Sequence, residues 1–144
     1  MDYHLFGFDF ENVSFSLPDE NSFNEEQSRN AKKEKIDIYF GKGVEFGYTY
    51  DFGDNWQHHI IVEEVVESEP NQKYPVCLGG ERHRPLEDVG GVSGYEDFLE
   101  IISDPNNEEY DEMLEWAAEY TGGKKFDSEY FCLSEINKVL AKIK

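Results

Sequence analysis

Residues 44–67 read VEFGYTYDFGDNWQHHIIVEEVVE, and the fold turns on how this stretch is read. Val44, Phe46, Tyr48 and Tyr50 alternate with smaller or polar residues, the period-two pattern of a half-buried strand over 44–51. Gln57 to Glu67 reads as a second strand, with Ile60, Val62 and Val66 toward the core. Between them, DFGDN carries the glycine and Asx chemistry of a hairpin connection. Because successive side chains of a strand face opposite sides, His58 shares the side of Ile60 and is expected to face the core, while His59 faces away.

Upstream, Phe6, Phe8 and Phe10 alternate from His4 to Phe10, and Val13 to Leu17 alternates likewise. Glu11-Asn12 is the expected turn that pairs them. Pro18 to Lys35 is polar, with Phe23 and Ala31 as its apolar anchors, and reads as a loop or a weak exposed helix. Ile36 to Phe40 suits either a short strand or a helical turn, and GKG at 41–43 breaks the chain.

Downstream, Pro70 to Gly94 holds three prolines and five glycines, a long irregular connection of a kind that is uncommon in compact proteins. Tyr74, Val76, Cys77 and Leu78 are expected to pin it to the body. A helix is predicted from Ser93 to about Ser103, and another begins near Pro105 with Tyr110, Met113, Leu114 and Ala117 on one face. Gly122-Gly123 stops it. A last helix is predicted from Leu133 to Ile143 with Ile136, Val139, Leu140 and Ile143 as its apolar stripe. Strands first and helices last argue an α+β fold, a mainly antiparallel sheet followed by C-terminal helices.

A chain of 144 residues fits one domain, 1–144. Its net charge of −19 opposes phosphate-backbone binding and anionic membranes. No apolar run is long enough for a membrane helix, and the first residues lack signal-peptide character. Cys77 and Cys132 are too few for a disulfide framework, which fits reduced thiols in the cytoplasm. From Glu96 to Glu119 the chain has ten acids and no Lys or Arg, so its field recruits cations or basic proteins.

YDFGDNWQHHIIVEE, YPVCLGG, PLEDVGGVSGYEDFLEII and MLEWA, in that order, resemble the plasmid pRiA4b ORF-3-like family, from about Tyr3 to Ala141. That family is also known as a resolvase-like passenger of certain insertion elements, a label that follows genetic context more than chemistry. The resemblance implies an α-β roll with no established activity. Fuller members begin with a further strand and helix. The chain starts almost at the next segment, which implies an exposed edge or apolar patch that a partner or self-association would cover. Many members also carry additional cysteines near the positions of Arg84 and Val89; this chain lacks them and keeps only Cys77, which departs from any thiolate metal site such members form.

Four chemistries are weighed. His58, Cys77 and His83, with Asp51, Asp54, Glu87 and Asp88, include ligands for a divalent metal, although no CxxC or HxxxH pair is present. The alternative for His58 is a hydrogen bond to a buried carboxylate, Asp51 or Asp54, that locks the hairpin. Asp51, Asp54, Glu87 and Asp88 with His58 form the acid–base candidate, against plain turn capping by Asp54 and Asp88. LGGERHRP and DVGGVSGYE are loose matches to a phosphate cradle, with Arg82 and Arg84 nearby, against glycines that merely open a helix. Cys77 and Cys132 read as inert thiols.

The expectation is an accessory or interaction protein of bacterial or mobile-element origin that engages a protein partner or a second copy, without direct nucleic-acid binding or a cofactor. The alternatives are an enzyme centred on the acid–base candidate residues and an acidic nucleic-acid mimic held by a basic protein.

Overall fold

A computed structural model describes residues 4–17, 28–35, 37–70 and 74–143. The polar run expected as a loop or weak helix lies, up to residue 27, outside the described residues, as does Ile36. The chain forms two compact units. The first runs to Glu67 and includes Gly90–Val92, and the second comprises Ser68–Val89 and Ser93 onward.

The first unit is a five-stranded sheet. Its strands are β1 (Phe6–Phe10), β2 (Val13–Ser16), β3 (Ser28–Asn30), β4 (Glu45–Tyr50) and β5 (Trp56–Ile61), in the order β3-β2-β1-β4-β5. All pairings are antiparallel except the short parallel contact of β2 with β3. Glu11-Asn12 is the two-residue turn expected, since Phe10 pairs with Val13. The stretch Asp37–Tyr39 resolves to a single 3-10 turn.

Register explains the aromatic composition. Phe15, Phe8, Tyr48 and His58 are consecutive cross-strand partners over four strands, so one face of the sheet is a row of rings. Phe10 stacks on Phe46 at 4.5 Å, Phe8 lies 4.9 Å from Tyr48, and Tyr39 packs edge-on against Phe15 at 5.1 Å. Phe15 and Phe46 are buried. Each contributes about 1.5–3 kcal/mol by leaving water, and each ring pair adds roughly 0.5–1.5 kcal/mol. On the opposite face Gly7 is buried: a Cβ there would stand 3.3 Å from the Phe52 ring and from the Phe15 carbonyl oxygen.

Two strand expectations change. β5 ends at Ile61 rather than Glu67, because β4, its one partner among the described residues, begins at Glu45, the residue opposite Ile61. Val62 still bonds to the backbone of Gly43 and Val44, but residues 63–69 run on outside any strand, and Val66 is 72% exposed instead of facing the core. The edge expected open at the chain's start is also elsewhere. β1 is flanked by β2 and β4, and the terminal strands are β3 and β5.

The second unit is built on α1 (Gly91–Ser103) from Ser93 onward, α2 (Tyr110–Thr121) and α3 (Leu133–Leu140), the first two residues of α1 belonging to the first unit. Leu86, Phe98, Ala117 and Phe126 are its buried centre, with Leu99, Ile102, Met113 and Trp116 packed around them. α2 starts five residues after Pro105 because Asx turns take the backbone first. Asp104 accepts from the Asn106 N–H at 3.0 Å, and Asn107 from the Glu109 N–H at 2.9 Å. Gly122 and Gly123, both at positive φ, close α2, with the Gly123 N–H on the Ala118 carbonyl at 2.8 Å. α3 is shorter than expected. Ile136 and Leu140 are half-buried, whereas Val139 and Ile143 are exposed, so the stripe is half as wide as its spacing suggests.

The 70–94 connection is pinned near its end by the buried Leu86, but its first part is not held by the apolar side chains expected: Tyr74, Val76 and Leu78 are exposed. Instead the Cys77 backbone and the Asn137 side-chain amide exchange two hydrogen bonds, at 2.8 and 2.9 Å. The fold is α+β, a mostly antiparallel sheet followed by three helices.

Candidate functional site

The β4–β5 connection is a five-residue loop with left-handed backbone at Asp51 (φ 52°) and Asn55 (φ 55°), conformations that Asp and Asn tolerate better than other non-glycine residues. It is closed by the Asn55 N–H on the Asp51 carbonyl at 2.6 Å and by the Gly53 N–H on Asp51 Oδ1 at 2.9 Å. The second carboxylate oxygen of Asp51 lies 2.8 Å from His4 Nδ1, both side chains being largely covered. Tyr50 packs edge-on against the His4 ring at 5.6 Å. An aspartate that fixes one imidazole nitrogen sets the tautomer and orientation of the ring. Sequence reasoning missed His4; its only signal was its position just ahead of an alternating strand.

Asp54 has a separate task. Its carboxylate accepts the N–H of Gly90, the residue before α1, at 3.2 Å. A carboxylate at a helix start satisfies an orphan donor and meets the positive end of the helix dipole. Gly91 (φ 69°) lies so close to this loop that a Cβ would stand 2.4 Å from the Asp54 carbonyl oxygen. The second glycine of DVGG is therefore demanded by packing, the first has positive φ (91°), and the anion at this helix start comes from the protein itself.

His58 does not bond to either aspartate: its Nδ1 is 3.1 Å from the Tyr48 carbonyl oxygen and its ring lies 5.3 Å from that of Tyr48. It has the expected parity, yet it is exposed, because a terminal strand has a neighbour on one side only. His59, on the other face, pairs with Glu45 at 3.0 Å. The remaining candidates belong to the second unit. Glu87 pairs with Arg84 at 2.9 Å, and Arg82 with Glu129 at 3.4 Å. Asp88 has left-handed backbone. The Cys77 thiol donates to the Gly79 carbonyl at 3.4 Å, and His83 Nδ1 lies 2.6 Å from the Arg84 carbonyl oxygen.

The terminal strand β5 is the other feature of note. Val62 N–H donates to the Val44 carbonyl at 2.8 Å. In an antiparallel ladder such inward bonds alternate, so residues 56, 58 and 60 face β4 and the main-chain groups of Gln57, His59 and Ile61 face outward. Their side chains are exposed, and the acids Glu63, Glu64, Glu67 and Glu69 follow directly. None of the usual edge defences, such as a lysine or a proline, stands on β5.

Sequence and structure relatives agree with this frame. The family described as plasmid pRiA4b ORF-3-like protein matches residues 1–135, a span that holds the whole sheet and the first two helices. The chain belongs to this family. The pRiA4b ORF-3-like relative named uncharacterized protein y4hQ, from Sinorhizobium fredii, is 34% identical over 138 residues, which is 95% of this chain and 68% of that protein. A crystal structure of a protein of unknown function, MM3350 from Methanosarcina mazei Go1, matches with a TM-score of 0.77 at 34% identity, covering 94% of this chain and 74% of that one. Among the described residues, no helix is long and apolar enough to cross a membrane.

Proposed function

We propose that this chain is an interaction domain whose β5 edge accepts an extended, basic segment of a partner protein as an added strand. The observation that supports this is the undefended outer edge of Trp56–Ile61, with three outward-facing residues of main chain beside it. Strand addition draws affinity from main-chain hydrogen bonds and specificity from alternate side chains. Ile61, Val65 and Val66 offer exposed apolar contact, and the glutamates after β5 select a basic strand over an acidic one. The test is binding of a peptide that alternates Lys and Val, followed by fluorescence anisotropy. His59→Pro removes one outward N–H and leaves the β4 ladder intact; it should abolish binding, whereas His59→Ala should retain it. Equal binding by both variants, or equal binding of an alternating Glu-Val peptide, would discard the proposal.

A second reading, acid–base or metal-assisted chemistry at the signature turn, draws on the His4–Asp51 pair and the left-handed backbone at Asp51. Stoichiometric Zn²⁺ or Mn²⁺ in the purified protein, lost in His4→Gln, would support the metal form. Metal-free protein after growth with added metal would count against it.

A further inference from the structure

In a protein with this excess of acids, the second unit contains a cavity whose wall gathers two lysines. It is about 400 Å³, within the size range of small-molecule sites, and is lined by His83, Tyr120, Lys124, Lys125, Phe126 and Tyr130, with Thr121, Asp127 and Glu135 completing the wall. Phe126 is buried and anchors this wall, its ring 5.1 Å from that of His83 and 5.2 Å from that of Phe98.

The two acids of the wall keep their charge but each is held by a neighbouring donor. Asp127 accepts the Glu129 N–H at 3.0 Å, and Glu135 accepts the Tyr130 hydroxyl at 2.9 Å, which pushes the Tyr130 pKa up to about 12. Neither lysine makes an ion pair among the described residues. By contrast Arg82 and Arg84 are consumed by Glu129 and Glu87. The lysines stand on a built turn rather than a loose loop: Gly122 and Gly123 close α2 before them, the Thr121 hydroxyl donates to the Lys124 carbonyl, and the Phe126 anchor follows. Because a carbonyl only accepts, His83 Nδ1 carries the hydrogen of its bond to Arg84, and Nε2 remains as a second polar atom of that ring.

We infer that this cavity binds a small anion carrying a flat ring, a carboxylate or a phosphate whose charge meets Lys124 and Lys125 and whose ring lies among Tyr120, Phe126 and Tyr130. The site is independent of the β5 edge. Phenyl phosphate, benzoate, inorganic phosphate and anilinium would be titrated into ¹⁵N-labelled full-length protein at low salt while the amide resonances of residues 121–127 are followed. Phenyl phosphate or benzoate should give saturable shifts, and whichever binds more tightly names the head group. Inorganic phosphate should bind more weakly, anilinium should not bind, and the double variant Lys124→Gln, Lys125→Gln should weaken the better probe by roughly tenfold or more. Both lysines are exposed, so the variant should keep the fold, which the rest of the amide spectrum reports. Absence of saturable shifts, unchanged affinity in the double variant, tighter binding of anilinium, or inorganic phosphate binding as well as the ring-bearing probes would overturn the inference.

Discussion

At the scale of residues, two positions carry sharp expectations. A methyl group at Gly91 would meet the Asp54 carbonyl oxygen at 2.4 Å, on a backbone with φ 69°. Clash and strain act together, so Gly91→Ala should cost about 3 kcal/mol or more, read as a lower midpoint in urea unfolding. Gly43→Ala is the control. Gly43 also has positive φ, but nothing lies within 4 Å of its Cβ position, so its loss should stay near ~1 kcal/mol. The second position is Cys132, read from sequence as inert. Its thiol pKa is lowered, first by the Ser134 hydroxyl at 3.4 Å and then by the Glu135 N–H. The thiolate is the reactive form, so Cys132 should alkylate with a pH midpoint below that of an ordinary thiol. Ser134→Ala should move this midpoint upward, as mass-resolved iodoacetamide labelling would show; an unmoved midpoint would remove Ser134 as the cause.

At the scale of elements, β5 can be checked without any partner. Hydrogen exchange should show protected amides at 56, 58, 60 and 62, fast exchange at 57, 59 and 61, and no protection from 63 to 69. Uniform protection along 56–61 would mean that the outer edge is already covered, for example by a second copy, and would turn the proposed acceptor into a dimer interface. The same alternation explains what was readable beforehand. Phe46, Tyr48 and Tyr50 announced β4 by periodicity alone. The end of β5 was not legible, since IIVEEVVE continues as an apolar-acidic run and the ladder stops only where the chain ahead of β4 turns at Gly41–Val44. α3 shows the converse: its spacing is helical to Ile143, but the chain supplies a packing surface for only half of the stripe.

At the scale of the whole molecule, the net charge of −19 dominates. Like charges within a folded chain repel and destabilise it, and salt screens them. The melting temperature should therefore rise by several degrees between low and physiological ionic strength, as calorimetry would show. An unchanged value would mean that the acids are locally compensated. The same screening should weaken a basic strand on β5 as salt is added, so stability and partner affinity should respond to salt in opposite directions.

The sequence by itself determined the strand-then-helix order, the hairpin around YDFGDNWQHH and the acidic field. These follow from periodicity, turn chemistry and formal charge, which are local or additive properties. Only the tertiary structure decided which groups meet. His4 reaches Asp51 across the β1–β4 pairing, Asp54 meets the start of α1 from 36 positions away, and His58 turns to a backbone carbonyl instead of a carboxylate. Lys124 and Lys125, unremarkable in a list of charges, come to share one cavity wall, where no acid among the described residues forms an ion pair with them. Such pairings depend on register and on long-range proximity, which no local pattern in the chain encodes.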